Sequence, residues 1–198
     1  MSIEIDKIDG RRARGLRTRD AIVSALLDLV AAGDVAPTAQ RIADRAGVSV
    51  RSVYQHFADV EGLYADAAQR TYQWVRDTAK DIDAALPLAK RVDLFVDNRT
   101  TTLEGLLPFH RAVRLMEPDS DHIRAARLEM EAWEKARVAK IFAPELRAKA
   151  APSRSAAIAG IDVLASAEAW DRMRRHGQST RTARQVLRLG ILSLLGAA

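Results

Sequence analysis

The 198-residue chain has no cysteine. Disulfides and thiolate metal sites are therefore excluded, and the composition suits a reducing compartment. Glycine (10) and proline (6) are sparse beside abundant Ala, Leu and Arg, a balance that favours an all-helical protein. No apolar run approaches the roughly 20 residues of a membrane span. The opening MSIEIDKIDG places acidic residues where an export signal needs an apolar stretch, so the expectation is a cytoplasmic protein. A Gly-rich phosphate loop is missing too. His56, His110, His122 and His176 are scattered, with neither metal-pair spacing nor a nucleophile for a base to serve; these gaps argue against an enzyme and against a bound metal or cofactor.

What is present is 48% hydrophobic and 29% charged, enough apolar material for a folded core. The net charge of +5 is modest and permits a polyanion partner without demanding one. Its distribution says more. Arg11, Arg12, Arg14, Arg17 and Arg19 crowd the segment before the first expected helix. Such an arm either follows a nucleic-acid backbone or is a solvated tail.

Periodicity predicts about nine helices. The first runs from near Thr18 to Ala32, with Ile22, Leu26, Leu29 and Val30 on one face, and stops at Gly33. Thr38 caps the second, whose inner face is Ile42, Ala43 and Ala46. Gly47-Val48-Ser49 makes a tight turn, and Ser49 caps the third. Asp59 caps a fourth, from about Val60 to Leu86. A fifth covers Leu88 to Leu107, Pro108 opens a shorter sixth ending near Met116, and Asp119 or Asp121 opens the seventh. The stretch around Pro144 and Pro152 reads as a loop. An eighth helix covers Arg154 to His176 and a ninth Thr180 to Leu195.

The last two helices are apolar on more than one side, so both sides need cover. Ile158, Ile161, Ala165, Ala169 and Trp170 on the eighth, with Leu187, Ile191, Leu194 and Leu195 on the ninth, are the candidate faces of a homodimer. Two helices from each copy would form a two-fold, four-helix interface. A buried terminal hairpin in a monomer is the alternative.

At 100° per residue along the third helix, Val50, Val53 and Phe57 share a narrow inward arc. Arg51 and Gln55 lie opposite, Ser52 and Tyr54 flank them, and His56 sits at the border. A short rod anchored on one side and polar on the other suits a DNA major groove. Arg51, Ser52 and Gln55 are candidates for base edges. Thr38, Tyr54 and His56 are candidates for the backbone of the same duplex, and Ser49 is a further candidate DNA-binding residue.

The segment TAQRIADRAGVSVRSVYQHF, followed by DVEGL, resembles the DNA-binding head of TetR-family transcriptional regulators. The matching positions are Thr38, Ile42-Ala43, Gly47-Val48, Tyr54 to Phe57, and Gly62-Leu63. The likeness covers about Arg14 to Ala65, and a weaker one, Glu168 to Arg175, resembles the family's penultimate dimer helix. Many members carry a Lys just after the Phe, where it binds a phosphate; here Ala58, Asp59 and Val60 stand instead. The resemblance therefore implies one missing phosphate contact, which the Arg-rich arm would replace.

The family likeness implies a helix-turn-helix head with its basic arm at residues 1–62 and a helical ligand-binding and dimerisation domain at 63–198. It implies a repressor that binds a palindromic double-stranded operator as a dimer and leaves it when a small effector binds. Trp74, Phe95, Asn98, Phe109, His110, Met116 and Trp133 are the candidate pocket residues, mixing aromatic walls with polar handles. A helical dimer that binds protein without reading DNA is the competing expectation.

Overall fold

The computed structural model describes residues 2–196, with side chains described for 12–118 and 120–196. Arg11 and Asp119, named above, lie outside the described side chains. Among the described residues the protein is all-α, with ten α-helices, no strand and one 3-10 turn at Glu117–Asp119. The helices are α1 (Ser2–Ala31), α2 (Ala39–Ala46), α3 (Val50–His56), α4 (Val60–Thr78) and α5 (Leu88–Met116), then α6 (Asp121–Ile141), α7 (Ala143–Arg147), α8 (Ala151–Leu164), α9 (Ala167–Arg175) and α10 (Thr180–Leu195). Two compact units emerge. One holds Met1–Thr71 with Pro108–Ala126, the other Tyr72–Leu107 with Arg127–Ala198.

In the first unit, Ile22, Leu26 and Val30 of α1 close over Ile42 and Ala43 of α2 and over Val53 and Phe57, all buried. Leu63, Tyr64, Ala67 and Ala68 carry the same apolar face onto α4. Burial, followed by the nearby charge of Asp34, pushes the Tyr64 hydroxyl up to about 12. In the second unit, Val92, Phe95 and Val96 of α5 pack with Val138, Ile141 and Phe142 and with Ile161, Leu187 and Ile191. Phe95 meets Phe142 edge to face, with centroids 5.6 Å apart.

Several boundaries differ from the sequence expectation, each for an identifiable reason. The N-terminal arm is not a separate segment: α1 begins at Ser2. The fourth helix ends at Thr78 rather than Leu86, because the Asn98 amide donates to the Thr78 carbonyl (2.9 Å) and accepts from the Lys80 N–H (3.3 Å). A remote side chain thus satisfies the groups that a further turn would have used. Pro108 starts no new helix and lies inside α5. Its ring costs a hydrogen bond there, but Leu107 and Phe109 on either side are buried and hold the helix through it. The Pro144–Pro152 stretch is not a loop, since both prolines occupy first-turn positions, of α7 and α8, where no N–H is needed. The expected eighth helix is broken at Ser166. That hydroxyl caps α9 by accepting from the Ala169 N–H (3.1 Å), while the Ala165 carbonyl accepts from Arg99 Nε (2.7 Å).

Candidate nucleic-acid interface

The turn between α2 and α3 is built from three local devices. Thr38 Oγ accepts from the Arg41 N–H at 3.3 Å, starting α2. Gly47 adopts φ 68°, a left-handed cap that lets its N–H reach the carbonyls of Ala43 and Asp44. Ser49 Oγ accepts from the Ser52 N–H at 3.1 Å and starts α3. Asp59 does the same for α4 through the Gly62 N–H at 2.7 Å. The residues after Phe57, Ala58, Asp59 and Val60, offer no cation.

The predicted two-sided α3 is what folds. Val53 and Phe57 are each 3% exposed, whereas Tyr54 is 51% exposed and Arg51 and Gln55 are open to solvent. Ser52 is half-buried and Thr38 and Ser49 are exposed. Both cap hydroxyls accept within the chain, so each keeps its hydrogen for an outside acceptor such as a phosphate. His56 is half-buried, with its ring beside α1: a Cβ added to Gly15 would lie 3.8 Å from the imidazole Cε1.

One residue of the head, read above as part of the arm, has a different role. Arg19 does not extend into solvent. Its Nε donates to Asp66 Oδ2 (2.7 Å), its Nη1 to the His56 carbonyl (2.6 Å), and its guanidinium lies 4.1 Å from the centre of the Phe57 ring. Arg19 ties α1 to the C-terminal end of α3 and to α4. Its position one turn past Gly15 was readable, but its target was a backbone carbonyl that no sequence pattern marks. Arg41 pairs with Asp34 (2.6 Å), Arg45 with Asp28 (2.9 Å) and Arg70 with Asp20 (2.6 Å). Arg12, Arg17 and Arg51 are exposed and pair with no other described residue. The unspent positive charge of the head therefore includes Arg51 on α3's outer edge and Arg12 and Arg17 on α1.

The candidate pocket residues are distributed over both units. Phe109 and His110 are buried and Met116 is half-buried in the first unit. Trp74, Phe95, Asn98 and Trp133 belong to the second. There, Phe95 is core and the Asn98 amide is consumed by the α4 terminus. Trp74 lies against Gly105, where an added Cβ would come within 2.5 Å of its ring. Only Trp133 of the seven lines a cleft of about 330 Å³ in this unit. Ile82 and Ile141 form its apolar floor, and Arg76, Lys80, Arg137 and Lys140 bring cations to it. Arg137 is the residue the sequence reading missed. It stands four positions after Trp133 on α6, its guanidinium 5.8 Å from that ring and 5.6 Å from Phe95. Burial lowers its pKa; the neighbouring Glu134 works the other way.

The proposed dimer set is divided as well. Ile161, Ala165, Trp170, Leu187, Ile191 and Leu195 are buried in the chain's own core and have no outer face to offer; Ile158, Ala169 and Leu194 are half-buried. The outward apolar residues are instead Ala156, Ala159 and Val163 on α8 and Val186 and Leu189 on α10. The two helices meet closely through glycines. A Cβ on Gly160 would lie 2.9 Å from a Leu194 methyl, and one on Gly190 would lie 2.5 Å from a Leu164 methyl.

The first unit therefore contains a helix-turn-helix with an anchored second helix and a polar, cationic outer edge. Residues 22–67 match the family described as bacterial regulatory proteins, tetR family, the same family whose DNA-binding head the sequence resembles. Beyond the head, the likeness is one of fold. A TetR-family transcriptional regulator from Streptomyces coelicolor superposes with a TM-score of 0.70 at 19% identity, covering 91% of this chain and 82% of that one. A transcriptional regulator from Rhodococcus sp. Rha1 gives 0.67 at 15% identity, covering 89% and 95%. No curated protein sequence matches the chain. Among the described residues no helix is long and apolar enough to cross a membrane.

Proposed function

We propose that this protein is a cytoplasmic transcriptional regulator that binds a palindromic operator as a homodimer, represses from it and is released by a small-molecule effector. Residues 1–62 would read DNA, and residues 63–198 would hold the effector and pair the two copies. The observation that carries the reading is α3: its outer edge is open while Val53 and Phe57 fix its back. Arg51 suits guanine O6/N7, Gln55 adenine N6/N7, and Ser52 either kind of partner. Tyr54, Thr38 and Ser49, whose hydroxyl-bearing side chains are exposed, would meet phosphates, as would the half-buried His56 at the border. The outward Val163, Val186 and Leu189 give a second copy an apolar face to cover. Two heads so joined must meet successive major grooves about 34 Å apart, so an effector that alters their separation weakens the complex.

Selection of bound oligonucleotides tests groove, register and symmetry together, and a palindrome is the expected product. On that site Arg51→Ala is expected to cost about 1–3 kcal/mol and to relax preference at one base pair, whereas Tyr54→Phe weakens all DNA alike. Equal losses on specific and random DNA for Arg51→Ala would contradict its role. No binding to any DNA at low salt would leave the helical interaction module as the better reading.

A further inference from the structure

We propose that the cleft between the α4–α5 connection and α6 binds a small amphipathic monocarboxylate, its headgroup held by Arg137 and Lys80 and its apolar body on Trp133 and Ile82. The binding claim stands alone; its use as the effector rests on the regulator reading above.

Charge accounting beneath the cleft supplies the reason. Arg99, Glu134 and Arg137 have side chains only 8%, 9% and 10% exposed, and within this buried group one carboxylate faces two guanidiniums. Asp81, an exposed carboxylate of the cleft, also attracts Arg137 but makes its direct contact with Lys140. Arg99 takes the direct contact with Glu134. Arg137 reaches Glu134 only at 3.7 Å and spends its Nη2 on neutral oxygens, Asn98 Oδ1 at 2.6 Å and the Lys80 carbonyl at 3.2 Å. A largely buried cation solvated by neutral groups gains most from an anion. The other cations of the cleft divide clearly. Arg76 is engaged by Glu129 at 2.7 Å and Lys140 by Asp81 at 2.9 Å. The Lys80 ammonium is exposed and pairs with no other described residue.

The remaining surface is apolar. Ile82 and Ile141 are 3% and 2% exposed, Trp133 is half-buried, and Ala79 and Ala136 complete the walls. A volume near 330 Å³ accommodates about ten non-hydrogen atoms at the packing of liquid water. A planar carboxylate matches the guanidinium edge, and one negative charge complements Arg137, whose two neighbouring carboxylates are shared, Glu134 with Arg99 and Asp81 with Lys140. Short- to medium-chain fatty acids and aryl acetates have these properties.

Calorimetric titration of the full chain with octanoate, and with octanamide as the uncharged twin, tests the site. Octanoate is expected to bind at least tenfold more tightly than the amide. Lys80→Glu should remove most of that preference, and Ala136→Trp, which fills the cleft from an exposed position of α6, should abolish binding. Both changes are at solvent-exposed positions, and circular dichroism checks that they leave the helices intact. Equal affinity for acid and amide would overturn the proposal. So would octanoate binding that survives both variants, or failure of octanoate, hexanoate and phenylacetate alike. A gel shift separates the two readings: octanoate that binds without releasing DNA supports the site and removes its effector role, while release that persists in Ala136→Trp places the effector elsewhere and overturns the site.

Discussion

Arg19 and Arg17 stand two residues apart on α1, and the structure predicts opposite phenotypes for their loss. Arg19→Ala removes an ion pair to Asp66 in which both side chains are about a third exposed (37% and 32%), worth at most about 1 kcal/mol. It also removes a charged hydrogen bond to the His56 carbonyl, about 1.5 kcal/mol, and a cation–π contact on buried Phe57, about 0.5 kcal/mol. One guanidinium makes all three contacts, so they overlap, and about 2 kcal/mol is the working figure. The head contains no Trp, since Trp74, Trp133 and Trp170 all lie beyond Thr71. Amide hydrogen exchange at Val53 and Phe57 is therefore the assay, and 2 kcal/mol is a roughly 30-fold loss of protection. Arg17→Ala should leave that protection unchanged. It should instead reduce the salt dependence of DNA binding by about 0.9 on the log–log slope, one phosphate's worth. Unchanged protection together with a flattened slope for Arg19→Ala would refute the assignment of Arg19 to the fold.

Dimerisation should respond to the outward residues and not to the buried ones. Val163→Glu with Leu189→Glu is expected to yield a folded monomer by light scattering, whereas Ile161→Ala should cost about 2–5 kcal/mol of stability and leave the association state of the folded fraction unchanged. Glu145 is held below the ordinary carboxylate range, first by its hydrogen bonds from Arg91, at 2.5 and 2.8 Å. A carboxylate lowered by folding stabilises above its unfolded pKa and loses that contribution as pH falls through the lowered value. Glu145→Gln should therefore cost about 2 kcal/mol in urea unfolding at pH 7, with a penalty that shrinks steadily towards pH 3; a constant penalty would rule out the charge as its source.

Legibility followed the range of the interactions. Thr38, Gly47, Ser49 and Asp59 act on groups no more than four residues away, so the helix-turn-helix could be placed from sequence, together with the side of α3 that faces out. Two of the helix ends misjudged from sequence are controlled from far along the chain. Asn98 terminates α4 twenty residues upstream, and Arg99 takes the Ala165 carbonyl at the α8–α9 break. No local pattern announces such partners. The candidate dimer faces were less legible for a related reason. Helix α10 is apolar around most of its circumference, and periodicity cannot say which part the chain keeps for itself; the Ala183, Leu187, Ile191 and Leu195 stripe is the part it kept.

The same limitation explains why Arg19 was read as part of the arm and the structural arginines of the bundle were not singled out. Aromatic side chains make up only 5% of the chain, and its long helices are tied together by guanidinium groups as well as by rings. Arg91 reaches the Leu86 and Ile141 carbonyls and Glu145, Arg99 reaches Ala165 and Glu134, and Arg19 reaches His56 and Asp66. Each uses a long stem to cross apolar surface and a planar head to fix the relative position of two or three helices. Burying such charges adds little net stability, because desolvation offsets most of the attraction. What they provide is register: a helix that slid by one turn would leave a buried guanidinium without its acceptors, at a cost of several kcal/mol. In sequence an arginine of this kind cannot be told from one awaiting a phosphate. The distinction lies in whether a carboxylate or a free carbonyl stands within its reach, and on α1 that separates Arg19 from Arg17.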